Sequence, residues 1–174
     1  MKNLTLLTAF ALFTLFAYSQ PKHFRNDVQV HFDATLTPIS YGVKQGFSLF
    51  FTHDVSLSLI GGYRKGDFTN RYYGGSSFEA YSVSLLPTAV LFDIKNKTFI
   101  TGSSGIGIEF EKIVQKENPL KTNFISIHLI TQLGIEHYLN DYFAITAKIS
   151  LDSGSSYITK IEPGAVIGFK YTLH

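Results

Sequence analysis

The sequence predicts an all-β protein, an eight-stranded antiparallel up-and-down transmembrane β-barrel that follows a cleaved signal peptide. Three observations lead to this fold class. Near its start, the chain has a basic residue and an apolar segment. After this segment, apolar and polar residues alternate with period two. The segments that connect the alternating runs are short at one end and mostly longer at the other. The composition agrees, because 15% of the residues are aromatic and only 16% are charged, and aromatic residues are enriched in strands.

The first 19 residues have the pattern of a secretory signal peptide. Lys2 supplies a positive charge, an apolar run extends from Leu4 to Phe16, and Ala17 and Ser19 are small residues before the expected cut. The apolar run is shorter than the about 20 residues that a transmembrane helix needs. The chain has no cysteine, which excludes a disulfide framework and a lipid-modified cysteine. We therefore expect residues 20–174 to form one exported barrel domain.

Eight runs of alternating residues follow the signal peptide. In chain order they contain Val28, Val30 and Phe32; Tyr41, Val43 and Phe47; Val55, Leu57 and Leu59; Tyr81, Val83 and Leu85; Ile100, Ile106 and Ile108; Ile125, Ile127 and Leu129; Phe143, Ile145 and Ala147; and Ala165, Ile167 and Phe169. Small or polar residues stand between the apolar ones, as in strands with one apolar face. The last run ends the sequence, so we expect it to pair with the first run and leave no free sheet edge.

The connections differ in length in a regular way. Short ones are predicted at residues 52–54, 93–97 and 137–141, and longer polar ones at 64–77, 112–121 and 153–164; the connection at 37–40 is short. Outer-membrane barrels have tight turns at one end and longer loops at the other. Pro87 interrupts the fourth run, and the apolar parity slips between Leu85 and Val90. We predict a β-bulge near Leu86 and Pro87, since proline cannot donate a ladder hydrogen bond.

The composition of the alternate face decides between two kinds of barrel. A soluble lipocalin-like barrel would turn its apolar face inward and cover its outer face with charged residues. Here the alternate face is mostly Ser, Thr, Gly and Ala with a few charges, which suits a crowded lumen and a lipid-facing exterior. The residues predicted to form a structural polar network in the lumen are Asp33, Lys44, Glu109, Glu111, His128, Glu136, Lys148 and Lys170. We expect Glu109 and Glu111 to pair with Lys148 and Lys170.

Aromatic residues are predicted to form two belts at the membrane interfaces. The belt at the long-loop end would contain Tyr63, Tyr81, Phe110 and Phe124; the belt at the short-turn end would contain Phe51, Phe92, Phe99, Tyr138, Tyr142 and Phe143. Enrichment of aromatic residues in all strands is the simpler explanation of the same residues.

No motif for chemistry is evident. The histidines and carboxylates lack a metal-ligand spacing such as H-E-x-x-H, and no serine has a base at a characteristic spacing. We predict no catalytic residue, no metal site, no cofactor and no enzymatic activity. The formal net charge is +2 without a basic cluster, so direct nucleic-acid binding is not expected.

Three stretches resemble the TraO family of conjugal-transfer proteins. They are GIGIEFEKI (105–113), GIEHYLNDYFAITAKISLDSGSS (134–156) and the final strand GAVIGFKYTL (164–173). The resemblance implies an exported, membrane-associated component of conjugative DNA-transfer machinery, and it implies no catalytic residues.

The sequence thus predicts an outer-membrane barrel of a Gram-negative bacterium, non-enzymatic and part of conjugative DNA transfer. Its expected partners are outer-membrane lipid and other conjugation or envelope proteins. Two alternatives stay open: a general OmpX- or OmpA-like surface barrel acting in adhesion or envelope integrity, and a soluble secreted lipocalin-like barrel that binds lipid.

Overall fold

The chain forms a closed barrel of eight strands. The computed structural model describes residues 27–70, 74–94, 97–115, 121–156, 158 and 160–173, so the predicted signal peptide (1–19) lies outside the described residues. The strands are β1 (Val28–Leu36), β2 (Ser40–Phe50), β3 (Val55–Asn70), β4 (Gly74–Ile94), β5 (Thr98–Gln115), β6 (Lys121–Tyr138), β7 (Phe143–Gly154) and β8 (Ile161–Leu173). Each strand pairs with its neighbours in sequence, which confirms the predicted fold class. The described residues include no helix long and apolar enough to cross a membrane.

The pairing of β1 with β8 closes the sheet. Their antiparallel register runs from Val28 opposite Leu173 to Leu36 opposite Ala165, so the whole of β1 is paired with the last nine residues of β8. The expectation that the last run pairs with the first is confirmed. Neither terminal strand presents an open edge over this register, which removes the usual aggregation hazard of an edge strand.

The short connections lie where they were predicted, whereas the long ones are shorter than expected. β3 and β4 continue beyond the expected strand ends and pair from Tyr63 opposite Tyr81 to Asn70 opposite Gly74. The prediction of a loop over 64–77 is therefore wrong. The side chains of these extensions also point alternately inward and outward. Phe68 and Phe78 point inward and pack together at the end of the barrel, whereas polar residues point outward. Strands β5 and β6 likewise extend to Gln115 and back from Lys121.

The bulge in β4 lies further along than predicted. Leu57 pairs with Pro87 in an unbroken β3–β4 register, and the β4–β5 register is the same on both sides of Leu86 and Pro87. The register shifts instead between Val90 and Phe92. Leu86 and Pro87 have no partners in the β4–β5 register, so the missing N–H of Pro87 falls where these two strands are not paired. The extra residue at the shift moves Phe92 to the outer face. The predicted bulge at Leu86–Pro87 is wrong.

The apolar face of the sheet points outward. Phe47, Ile127 and Ile149 are 51%, 62% and 65% exposed, whereas their neighbours Ser48 and His128 are 2% and 7% exposed. This orientation is opposite to that of a lipocalin, in which the apolar face surrounds a ligand. The structure contradicts the soluble lipocalin-like alternative.

Among the described residues, three small apolar clusters lie inside the barrel, between layers of polar side chains. One is at the long-loop end (Phe68, Phe78, Ala80, Ile113 and Ile158), one near the middle (Ile60, Leu86 and Ile130) and one at the short-turn end (Val90, Phe99, Tyr138 and Ala144). Phe99 and Tyr138 are thus buried, and Phe124 packs against the first cluster. Their predicted places in the outer aromatic belts are wrong, because their parity on the strands turns them inward.

Candidate functional site: the polar lumen

The eight residues predicted for the lumen all lie on the inner side of the strands. Asp33, Glu109, Glu111, His128, Glu136 and Lys170 are buried, and Lys44 and Lys148 are half-buried. Hydrogen bonds and ion pairs of seven of these residues lie in groups at different levels of the barrel: Asp33, Glu109, Glu111, His128, Glu136, Lys148 and Lys170.

The group nearest the short turns is built around Glu136 of β6. Lys170 Nζ lies 2.5 Å from Glu136 Oε2, and the hydroxyl of Tyr138 donates to Glu136 Oε1 at 2.6 Å. The amide of Gln29 donates to the Tyr138 hydroxyl at 2.5 Å and to Thr172 Oγ1 at 3.1 Å. These bonds join β1, β6 and β8 across the interior, so this end of the lumen is filled by a connected polar layer.

The second group is built around Asp33 of β1. Lys148 Nζ lies 3.0 Å from Asp33 Oδ2, and His31 Nδ1 lies 3.7 Å from the same oxygen. The predicted pairing of Lys148 and Lys170 with Glu109 and Glu111 is therefore wrong. Lys148 pairs with Asp33 of β1 and Lys170 pairs with Glu136 of β6, which lie at the same height along the barrel axis as these lysines. Glu109 and Glu111 lie closer to the long loops.

The third group is an arginine fork near the long-loop end. Arg64 of β3 donates to both carboxylate oxygens of Glu109, at 2.6 and 2.9 Å, and also binds Glu162 of β8. Thr37 donates to the other oxygen of Glu162 at 2.5 Å. Arg64 and Glu162 were not predicted, because both fall in segments expected to be loops. Residues 64–70 are polar apart from Gly66 and Phe68, so hydrophobic alternation does not indicate that β3 extends this far.

Beside this fork lies a chain of hydrogen bonds from β5 to β6. Ser126 Oγ donates to Glu111 Oε1 at 2.7 Å and lies 2.8 Å from His128 Nε2. The same nitrogen is 3.9 Å from Glu109 Oε1 and from Glu111 Oε1. Two carboxylates and an imidazole therefore converge on one buried spot.

Glycines opposite the bulky luminal residues give them room. Gly168 of β8 pairs with Asp33, and a Cβ at Gly168 would overlap the Asp33 carboxylate and the Phe32 carbonyl oxygen. Gly46 of β2 pairs with His31 and would place a Cβ 2.8 Å from the imidazole ring. The small residues of the inner face are evident in the sequence, but their pairing with bulky residues depends on the strand register.

The cavities inside the lumen are small. One of about 30 Å³ is lined by residues that include Lys44, Glu109, His128 and Asp152; two others measure about 10 and 20 Å³. Spaces of this size hold one or two water molecules. They do not amount to a channel through the described part of the barrel.

The outer surface carries an apolar band with aromatic residues at both ends. Tyr63 and Tyr81 contact each other at the long-loop end, with ring centroids 5.1 Å apart. At the short-turn end, Tyr142 stacks on Tyr171 at 6.2 Å and Phe143 on Phe169 at 5.7 Å. An apolar band between two aromatic belts is the surface that a barrel presents to a bilayer.

Comparison with known proteins identifies the fold. No protein-family model matches the chain, and no curated protein matches it. Among solved structures, the N-terminal β-barrel domain of Pseudomonas aeruginosa OprF is 16% identical with a TM-score of 0.66; the match covers 87% of this chain and 100% of that domain. The fold is that of small outer-membrane β-barrels.

Two further barrels show the same likeness. Neisserial surface protein A is 10% identical with a TM-score of 0.65, over 84% of this chain and 96% of that one. The outer membrane protein OprG of Pseudomonas aeruginosa is 12% identical with a TM-score of 0.58, and the match covers 89% of this chain and 100% of that one. The shared feature is the barrel itself.

Proposed function

We propose that the protein is a non-enzymatic outer-membrane barrel that acts through its surface rather than through transport or catalysis. The observation that carries this proposal is the closed sheet with an exposed apolar face and a buried polar lumen. Lipid is the partner that such a face requires, since exposed apolar residues of this extent would associate in water.

Membrane residence is tested by cell fractionation and by gel migration with and without heating. The folded barrel is expected in the outer-membrane fraction, and its migration is expected to change on boiling. Recovery of a detergent-free soluble monomer would contradict the proposal.

The absence of enzymatic activity is proposed on the grounds of access. Ser48, His31 and Asp33 stand in the order of a catalytic triad, with 3.4 Å between Ser48 Oγ and His31 Nε2. All three are at least 95% buried, and Ser48 Oγ also hydrogen-bonds Ser58 at 2.7 Å. A substrate has no path to this serine in the described lumen, so the group is structural.

The more specific part of the proposal is a role in conjugative DNA transfer. It is supported by the three stretches that resemble the TraO family, which lie in β5, in the β6–β7 region and in β8. The test compares mating efficiency of a deletion strain, the same strain complemented with the wild-type gene, and the parent. We expect a loss of transfer that complementation restores.

A general surface barrel is the second candidate, favoured by the long β3–β6 strands and by the fold shared with Neisserial surface protein A. β3 and β4 continue by several residues beyond the belt residues Tyr63 and Tyr81 and present polar side chains to the outside. The two candidates separate in the deletion strain. Loss of mating with unchanged detergent sensitivity supports conjugation; increased detergent sensitivity with unchanged mating supports the general envelope role.

A further inference from the structure

We propose that Glu109, Glu111 and His128 form a buried binding site for a divalent transition-metal ion such as Zn²⁺, inside the barrel near its long-loop end. Each residue offers one ligand atom, and the three atoms lie within 4.8 Å of one another. The sequence spacing did not indicate this site, because two ligands come from β5 and the third from β6. The strand register brings them together: Glu109 pairs with Ser126, and Gly107 pairs with His128.

The donor set fits zinc better than an alkaline-earth ion. Imidazole nitrogen together with carboxylate oxygen is a set that Zn²⁺ binds, at about 2.0–2.2 Å from each atom. Ligand atoms around a tetrahedral zinc ion therefore stand roughly 3.3 Å apart. His128 Nε2 is 3.9 Å from an oxygen of each glutamate, and all three ligand atoms lie within 4.8 Å of one another. To reach the zinc spacing, the three atoms must therefore approach one another by at most about 1.5 Å.

An unpartnered oxygen is the independent observation that points to a ligand. The Glu111 side chain is 0% exposed, yet its Oε2 has no hydrogen-bond partner among the described residues. The other oxygen of the same carboxylate accepts from Ser126 and lies 3.9 Å from the imidazole nitrogen. A buried carboxylate oxygen without a partner is destabilising, and a bound cation would satisfy it.

The charge around the site is also unbalanced. Toward the short turns, Lys170 and Lys148 each pair with one carboxylate. At the long-loop end, the cationic residues of the cavity are Lys44 and Arg64. The carboxylates grouped with them are Glu109, Glu111, Asp152 and Glu162. The four carboxylates outnumber the two cationic side chains by two, and one divalent ion would compensate that difference.

Binding requires a change at His128. The one hydroxyl hydrogen of Ser126 goes to Glu111, so His128 Nε2–H donates to Ser126 Oγ, and the imidazole must take the tautomer with its hydrogen on Nδ1 before Nε2 can bind an ion.

Both oxygens of Glu109 accept from Arg64, but each carboxylate oxygen has a second lone pair. The cavity of about 30 Å³ beside Glu109 and His128 gives an ion space close to its ligands. Gly107 preserves that space, because a Cβ there would come within 2.7 Å of Ser84 Oγ and 3.0 Å of Ile130 Cδ1.

The experiment uses the full mature barrel, without a histidine tag, refolded in detergent and stripped with EDTA. Isothermal titration with Zn²⁺ is expected to show one saturable site. Co²⁺ is expected to give visible absorption bands that Zn²⁺ abolishes by displacement. Both measurements use the wild-type protein, so they do not depend on whether a variant folds.

Variants then locate the site. Glu111→Gln and His128→Gln are expected to weaken Zn²⁺ binding at least tenfold, whereas Glu79→Gln, a carboxylate exposed on β4, leaves it unchanged. In EDTA, Glu111→Gln is expected to resist urea at least as well as the wild type, since it removes an uncompensated charge. The proposal is overturned if the wild type shows no saturable Zn²⁺ binding, or if Glu79→Gln weakens binding as much as Glu111→Gln does.

Discussion

Lys170 of β8 and Glu136 of β6 form an ion pair inside the barrel, with 2.5 Å between Nζ and Oε2. β7 lies between the two strands, so the pair spans the interior rather than a ladder between neighbours. Both side chains are at most 10% exposed. Burying two charges is costly, and the pair is stable only because each charge has a partner.

Breaking this pair should destabilise the barrel strongly. Glu136→Gln leaves the Lys170 ammonium without its carboxylate, and we expect a loss of roughly 3–5 kcal/mol in the free energy of unfolding. Glu136→Gln combined with Lys170→Met removes both charges and should recover a large part of that loss. Urea titration of the refolded barrel measures all three proteins. Equal stability of the single and double variants would contradict the pairing.

Gly168 should not tolerate a methyl group. Gly168→Ala puts a Cβ into the Asp33 carboxylate and the backbone of β1, and such overpacking costs about 1–3 kcal/mol. Gly75→Ala in β4 is the matched control, because no atom lies within 4 Å of the Cβ it would add. Urea midpoints should fall for Gly168→Ala and stay within error for Gly75→Ala. A similar effect of both substitutions would show that the close approach at Gly168 is unimportant.

Gln45 is a polar residue on the outer face of β2. An amide that faces hydrocarbon without a hydrogen bond costs about 1–3 kcal/mol, so Gln45→Leu should stabilise the barrel in lipid vesicles. Gln132→Leu is the opposite case, because Gln132 is 7% exposed and lies in the polar lumen. We expect urea titration to show a gain for the first substitution and a loss for the second. A loss for Gln45→Leu would place that residue away from lipid.

The lumen should not conduct ions. Apolar clusters and polar layers fill the described interior, and the cavities between them have room for only one or two water molecules. Planar bilayers containing the purified barrel should therefore show the conductance of a protein-free bilayer. Stable stepwise currents that scale with salt concentration would contradict a sealed lumen.

The sequence predicted the strands well because period-two alternation is a local property. The runs at 28–36 and 143–152 correspond closely to β1 and β7, and the outward side of each strand follows from its apolar residues. The extensions of β3–β6 were missed because their outer residues are polar once the strands leave the apolar band. Local hydrophobicity does not distinguish such a strand from a loop.

The partners within the lumen could not be predicted in the same way. Parity shows that Glu109 and Lys148 point inward, but their partners depend on strand register and on height along the barrel axis. Arg64 lies in the lumen because β3 extends past Tyr63, which the sequence did not predict. The glycines opposite Asp33 and His31 make room for these side chains only because the strands pair in this register. The sequence of one strand does not reveal that register.

The most direct test of the account is whether lipid contacts the outer face. The chain has no tryptophan, so Phe47→Trp introduces a single fluorophore at an outward position, and Phe99→Trp introduces one inside the barrel. In vesicles of brominated lipid, the Trp at position 47 should be strongly quenched and insensitive to aqueous iodide, while the Trp at position 99 should be protected from both quenchers. Quenching of the Trp at position 47 by iodide but not by brominated chains would contradict a lipid-facing apolar surface.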